Sequence, residues 1–469
     1  MLNNMQPFDN IKNTIPQNKY LQDFHTDFLT LKDLNSKLSI LKMLVQDYSV
    51  ETMPQWVNFA TTFVCNLRCP FCQNHGTEEN RKKYNDTSLN MKYEMLMRLA
   101  RESLPWAREF SLALNGEPLL TAHIQDFLDE VAPFGAKLDL VTNGTLLTKK
   151  TLMKLLPLAG KIQISIDSAT EYTYEKLRVG AKFKRTLNSI RLLTRAVELL
   201  EEGDKPLVTF SFTIMGSNIT ELPEIVRLAS LMKVHEVNGC FIVLYDDNQH
   251  IRNEDVNFHK ERYNAYYERA HEVAEKLNIS LFIPDAFPGV QPNAHPMIRG
   301  EGMIINQLPE DYYEKLRPPE AFLDQNIIEI EATEIASMIR LTSSNRATLN
   351  KDTPAKRLNA QLQNSFRNFL EYYETKIKEM ADKEDKKIKY CEFLHNRIYI
   401  YPEGYVVPCC TVGRPTLGDI NNSTTKEVWN GDLYNEFRRR FYSSNPYECC
   451  KGCVHVQYLS WNDVVKSIL

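Results

Sequence analysis

Three cysteines stand within eight residues, Cys65-Asn66-Leu67-Arg68-Cys69-Pro70-Phe71-Cys72, in the spacing C-x3-C-x2-C. Thiolates are soft ligands suited to iron–sulfur clusters or to zinc. A closed structural site uses four ligands; three leave one metal position open, and open positions do chemistry. His75 lies close behind, so a closed Cys3His zinc site is the alternative on these residues alone. Six more cysteines fall between 391 and 453, and the tenth is Cys240. Clustered thiols in a chain whose first 30 residues show no apolar signal segment favour metal ligation over disulfides, and a reducing, cytoplasmic compartment is expected.

The elements that must position these thiols show in the periodicity. Trp56–Val64 is an apolar, strand-like run leading directly into Cys65. Further strands are expected at Phe110–Leu114, Lys137–Thr142, Lys161–Ile166, Leu207–Met215 and Val237–Leu244. Helical patterns alternate with them at Met91–Ser103, Ile124–Ala132, Leu152–Ala159, Lys184–Leu200 and Leu222–Leu231. Such βα repeats with short loops give a parallel sheet with right-handed crossovers. Chemistry in these folds sits on loops at the carboxyl ends of the strands. The cysteine triplet, Asn115-Gly116-Glu117-Pro118, Asn143-Gly144 and Asp167-Ser168 all fall at such ends.

The chain has 469 residues, 43% hydrophobic and 25% charged, with a formal net charge of -4. That composition can bury two or three domains, lacks the basic excess of a nucleic-acid surface, and contains no 18-residue apolar run for a membrane span. Residues 1–50 carry Leu31, Leu34, Leu38 and Leu41 at helical spacing and read as a helical extension packed on residues 51–284, the repeat region. Residues 285–388 are proline-rich, then charged and helical, and read as an insertion and linker, with a lid over the substrate as one role. Residues 389–469 form a cysteine-rich module with a hairpin around Pro402-Glu403-Gly404. Cys240, inside the sixth strand, is expected to be a buried thiol.

The triplet with its aromatic Phe71 resembles the signature of the radical S-adenosylmethionine (SAM) enzymes. Asn115-Gly116-Glu117-Pro118 resembles that family's GGEP turn, with Asn115 in place of the first glycine. The fold implied is α/β, a partial (βα)6 TIM-like barrel. The resemblance implies a [4Fe–4S] cluster on Cys65, Cys69 and Cys72 whose open iron chelates SAM, and reductive cleavage to a 5′-deoxyadenosyl radical that abstracts a substrate hydrogen. It implies SAM contacts from Asn115, Gly116 and Glu117 at the amino group, the Glu117 carboxylate accepting from the ammonium. It also implies contacts from Ser165 and Asp167 at the ribose or carboxylate, from Arg178 at the carboxylate, and from Phe71 and Ile214 about the adenine. Asn143 either faces that site or only shapes its turn.

The C-terminal module is similar to the SPASM/twitch extensions of that family. Cys391, Gly404-x4-Cys409, Cys450-x2-Cys453, Leu417-Gly418-Asp419-Ile420 and Val428-Trp429-Asn430 carry the likeness. It implies one auxiliary [4Fe–4S] cluster on Cys391, Cys409, Cys450 and Cys453, with Cys410 and Cys449 as competing choices; a four-cysteine zinc ribbon is the alternative. The expected partners are a peptide or small-molecule substrate and an electron donor such as flavodoxin or ferredoxin, with neither nucleic acid nor membrane. The expected reaction is oxidation or radical bond formation. A redox-neutral epimerisation and a non-enzymatic metal-binding protein are the alternatives.

Overall fold

The computed structural model describes residues 25–45, 52–112, 115–244, 246–293, 325–347, 371–377, 387–410, 413–453 and 455–462. The chain runs α1 (His25–Val45), β1 (Trp56–Phe59), α2 (Glu78–Tyr84), α3 (Tyr93–Ser103), β2 (Glu109–Ser111), α4 (Ile124–Val131), β3 (Lys137–Thr142), α5 (Lys149–Leu155), β4 (Ala159–Ser165), α6 (Glu171–Leu177), α7 (Phe183–Glu198), β5 (Leu207–Ile214), α8 (Leu222–Leu231), β6 (Glu236–Phe241), α9 (Lys260–Leu277) and β7 (Ser280–Phe282). There follow α10 (Gln325–Ala347), α11 (371–377), β8 (Lys387–Tyr390), α12 (Glu392–Asn396), β9 (Arg397–Ile400), β10 (Tyr405–Val407), β11 (Gly418–Asp419), α13 (Thr425–Trp429), α14 (Asp432–Tyr442) and β12 (Gln457–Ser460).

Strands β1 to β7 pair in parallel in chain order, one more than the six repeats expected, as a partial barrel. Alternation along each strand sorts its two faces. Phe110, Leu138, Leu140, Ile162, Ile164, Phe210, Phe212 and Val237 go to the hydrophobic core shared with the helices. Asp139, Gln163, Ser165, Ser211, Asn238 and Cys240 alternate with them and line the opposite, concave face. That face is polar. Gln163 Nε2 donates to Asp139 Oδ1 at 2.9 Å, and Lys161 pairs with Glu236 at 3.2 Å. Cys240 is exposed on this face, not buried as expected, because its strand neighbour Phe241 takes the core side against Tyr263.

Strand ends pass straight into capped helices. Thr148 and Thr170 accept hydrogen bonds from Thr151 N and Thr173 N, starting α5 and α6 just beyond β3 and β4. Helices α2 and α6, seven residues each, went unread in the sequence because short helices leave little periodicity to detect, and the 23-residue α10 went unread as well.

Of the extension and the insertion, helices α1, α10 and α11 pack away from the concave face. Leu31, Leu38 and Leu41 of α1 are buried as their spacing required. The helix bridges the barrel and the C-terminal module: Asn35 Nδ2 donates to Met53 O, and Ser39 Oγ to His395 O. The described part of the insertion is no lid: α10 packs on the outer helices, with Arg195 on Glu329 and Lys149 on Glu334. Helix α11 meets α1 through Lys37 and Glu374. Residues 294–324, 348–370 and 378–386 of the insertion lie outside the described residues.

The C-terminal module shares the barrel's sheet. Strand β9 pairs in parallel with β1, Val57 opposite Ile398, and β10 and β11 continue antiparallel from it. The Val428-Trp429-Asn430 segment docks it: Trp429 is fully buried, and Asn430 exchanges two hydrogen bonds with the Thr52 backbone.

Candidate functional site

Residues 60–76 run off the carboxyl end of β1 and wrap the three thiols, and the segments after α6 and after β3 pin that loop. From the α6 side, Arg68 N donates to Val179 O, and Gly180 adopts φ +103° with Asn66 O only 3.2 Å from where a Cβ would stand. From β3, Asn143 Nδ2 donates to Asn66 Oδ1 at 2.9 Å and reaches Cys65 Sγ at 4.0 Å. Asn66 Nδ2 in turn donates to Thr145 Oγ1 at 2.8 Å. Leu67 N donates to Cys65 Sγ at 3.4 Å, and Cys65 N donates to Asn85 Oδ1. His75, offered as a zinc ligand, instead places Nε2 at 2.9 Å from Phe63 O and is buried, which lowers its pKa.

Burial pushes the Cys65 thiol up to about 11 and the Cys69 thiol up to about 12. Metal binding must displace those protons, as it does wherever thiolates ligate. Among the described residues no three His, Cys, Asp or Glu side chains converge on a point that would hold a single ion. Thiolates of an iron–sulfur cube each bind a different iron, and the two donors aimed at Cys65 Sγ, the Leu67 N–H and the Asn143 amide, suit a thiolate ligand of that group.

Glu117 lies at the site and is buried among protein donors. It is 2% exposed, and its carboxylate accepts from Thr142 Oγ1 and Asn143 N, both at 2.7 Å, and from Leu119 N at 3.3 Å. Its own N–H donates to Val64 O at 2.9 Å. Glu117 therefore ties β1, its own turn and β3 into one rim. Burial raises its pKa even against those donors. Gly116 is what permits the approach: a Cβ there would stand 2.5 Å from Val64 O. Asn115 beside it is half-buried.

Asp167 is also a positioning group. It is fully buried, with Oδ1 accepting from Thr213 N at 2.8 Å and Oδ2 from Arg178 Nε at 2.5 Å. Arg178 caps the end of α6, not a surface helix, and its guanidinium lies 5.5 Å from the centre of the Phe71 ring. Thus Phe71, Arg178 and Asp167 form a stack from the cysteine loop to the ends of β4 and β5. Ser165 faces the concave side, half-buried. Ile214 corrects its expectation: its side chain is fully buried in the helix-side core, so only its backbone, whose O accepts from Ile242 N, lies at the strand end. Sequence reading missed Asn66, Asn85, Thr145 and Val179; loop polar residues carry no periodic signal, and only their contacts reveal them.

The second cysteine group surrounds one apolar cavity of about 350 Å³ including open solvent, lined by Cys391, Cys409, Cys449, Cys450 and Cys453. Cys410 is exposed and does not line it. Cys391 is the N-cap residue of α12, and Cys409 follows β10. Burial pushes Cys391 up to about 11 and Cys450 up to about 12. Phe437 and Phe441 of α14 close the wall, the dry soft-ligand environment in which an iron–sulfur cluster fits.

Residues 59–229 match the Radical SAM superfamily, and residues 391–454 match SPASM, an iron-sulfur cluster-binding domain. The chain belongs to the radical SAM superfamily. Within it, the chain is a member with a C-terminal SPASM domain, and its cofactors are SAM and [4Fe–4S] clusters, which sets aside zinc at both cysteine groups. Among curated relatives, a probable GTP 3′,8-cyclase of Methanocaldococcus jannaschii is 26% identical over 174 residues, 36% of this chain and 53% of that protein. An AdoMet-dependent heme synthase of Methanosarcina barkeri is 26% identical over 193 residues, 40% of this chain and 51% of that protein. The chain spans about half the length of the curated relatives it matches. Among solved structures, Streptococcus suis SuiB bound to S-adenosylmethionine aligns at TM-score 0.46 and 12% identity, covering 83% of this chain and 68% of that one. No described helix is long and apolar enough to cross a membrane.

Proposed function

We propose that Cys65, Cys69 and Cys72 hold the SAM-binding [4Fe–4S] cluster, that Cys391, Cys409 and Cys453 with one of the Cys449–Cys450 pair hold an auxiliary one, and that the enzyme oxidises or forms a bond within a peptide or small metabolite in the cytoplasm. When bound, the first cluster and SAM supply a carbon radical strong enough to abstract a substrate hydrogen. The chain's own residues do the rest. Asn143 and the Leu67 N–H brace the Cys65 thiolate. Arg178, held by Asp167 and Phe71, presents positive charge where the SAM carboxylate belongs. The polar concave face, with Gln163, Ser165, Ser211 and Asn238, orients a hydrogen-bonding substrate. A flavodoxin or ferredoxin provides electrons. The single observation carrying this reading is the convergence on the cysteine loop of Asn143 and Glu117, from two strand ends, and of Arg178, from the end of α6.

The test is reductive SAM cleavage by the reconstituted full chain. 5′-Deoxyadenosine is expected with the native protein and absent with Cys65→Ala, while Cys450→Ala still cleaves SAM. No 5′-deoxyadenosine from a fully loaded native enzyme would sink the reading.

One observation favours the epimerase alternative. The exposed Cys240 thiol on the concave face lies close enough to Asp167 to feel its charge. A thiol there can return a hydrogen atom to a substrate carbon; the sulfur radical left behind then takes one electron and one proton, the electron from the same class of low-potential donor. Cys240→Ser retaining SAM cleavage but losing solvent-deuterium incorporation into product would decide for it; unchanged turnover would decide against.

A further inference from the structure

The auxiliary cavity holds one thiol more than a cube has iron corners. Cys391, Cys409 and Cys453 reach it from separate segments, one thiol each. The fourth place is contested by two neighbours in sequence, Cys449 and Cys450, both in the short helix Glu448–Cys450 and both lining the cavity. Successive residues of a 3-10 helix are rotated by about 120°, which ordinarily sends neighbours in different directions. Here both nonetheless line the one cavity that Cys391, Cys409 and Cys453 also line. The contrast is Cys410, which follows Cys409 as directly as Cys450 follows Cys449, yet turns outward and is exposed. The crowding at 449–450 is thus a property of that turn and not of adjacent cysteines in general.

Resting on the reading that this cavity holds a [4Fe–4S] cluster, we propose that Cys449 is a second ligand for the same iron corner as Cys450. Three thiolates are fixed and one corner is duplicated. With a cluster bound, either the Cys449 or the Cys450 thiolate would close that corner, with no change in the number of electrons. The corner then stays closed to outside ligands whichever cysteine is bound. The cluster survives loss of either, and its electronic surroundings differ between the two arrangements.

The experiment uses the full chain, reconstituted with iron and sulfide and reduced, with SAM saturating the first cluster. Native protein, Cys449→Ser, Cys450→Ser and the double variant are compared by iron content, by circular dichroism, and by electron paramagnetic resonance with and without cyanide. Cyanide is the probe because it binds an iron corner that lacks a thiolate. The native protein and both single variants are expected to hold about eight irons per chain. Their auxiliary signals should not respond to cyanide, and the two single variants should differ in g values. Only the double variant, still folded, should show a cyanide shift or lose auxiliary iron. A cyanide shift or iron loss in one single variant, with the other indistinguishable from native, would overturn the proposal and name the sole ligand. A native protein holding only about four irons would overturn the auxiliary cluster itself and the proposal with it.

Discussion

Arg178 Nε donates to Asp167 Oδ2 at 2.5 Å, and the two side chains are 12% and 0% exposed. An ion pair this deep is held by the fold and not by water. Burial alone would favour neutral forms; Asp167 outweighs that for Arg178, whose pKa is raised. Asp167 also takes the Thr213 N–H, so one carboxylate fixes the orientation of the arginine and the β5 end together. Removing one partner of a buried pair leaves an uncompensated charge and costs about 3–5 kcal/mol. Asp167→Asn is therefore expected to lower the melting temperature and weaken SAM binding in calorimetry. The double variant Asp167→Asn/Arg178→Met should be less damaged than the two single effects added together. Additive losses would show that the pair is not coupled.

Gly116 admits no side chain. A Cβ would meet Val64 O at 2.5 Å, Phe63 C at 2.7 Å and Thr62 O at 2.7 Å, all backbone atoms that cannot rotate away. Gly116→Ala must push the turn off β1, at a cost of about 1–3 kcal/mol. SAM affinity should fall at least about tenfold, the equivalent of 1.4 kcal/mol, while far-ultraviolet circular dichroism stays native. Unchanged affinity would show that this turn does not shape the SAM site.

Glu117→Gln tests the rim. The carboxylate receives three donors, from Thr142, Asn143 and Leu119. A glutamine must turn its NH2 toward at least one of them, leaving a buried donor unmet at about 1–3 kcal/mol. Chemical denaturation should show that loss, and SAM binding should weaken with it. A stable variant with selectively lost SAM binding would instead restore the direct ammonium contact expected of this residue.

Lys32 gives the pH dependence. It is 2% exposed, donates to Phe134 O at 2.7 Å, and is pushed down to about 7, first by burial and then by Arg108. Between pH 7 and its ordinary 10.5 the unfolded chain holds a proton that the folded chain lacks. Unfolding then takes up a proton, so stability rises with pH across that window, by at most roughly 1.4 kcal/mol per unit. Lys32→Met should flatten denaturant midpoints over the same range. A profile with the native slope would place the titration elsewhere.

The cysteine spacing, the strand-end turns and the alternation of strand and helix were legible in the sequence because each is local. Ligand types, glycines at tight approaches, and periods of two or three to four residues need no tertiary information. The parallel sheet, the two metal-binding modules and the helical extension followed from those. What the sequence could not determine was direction and partnership. Glu117 and Asp167 carry charges that suit a SAM contact, but tertiary packing buries both and gives their oxygens to backbone and side-chain donors. The burial of Ile214 and the exposure of Cys240 were not legible because the face a strand residue takes depends on which side the helices cover. The β9–β1 pairing across more than 300 residues, and the position of Cys409 in the cavity wall with the exposed Cys410 outside it, depend on contacts far apart in the chain. The triplet at Cys65, Cys69 and Cys72 shows the division plainly. Its capacity to bind iron lies in residue type and spacing; its placement against Asn143, Glu117 and Arg178 exists only once three separate strands end side by side.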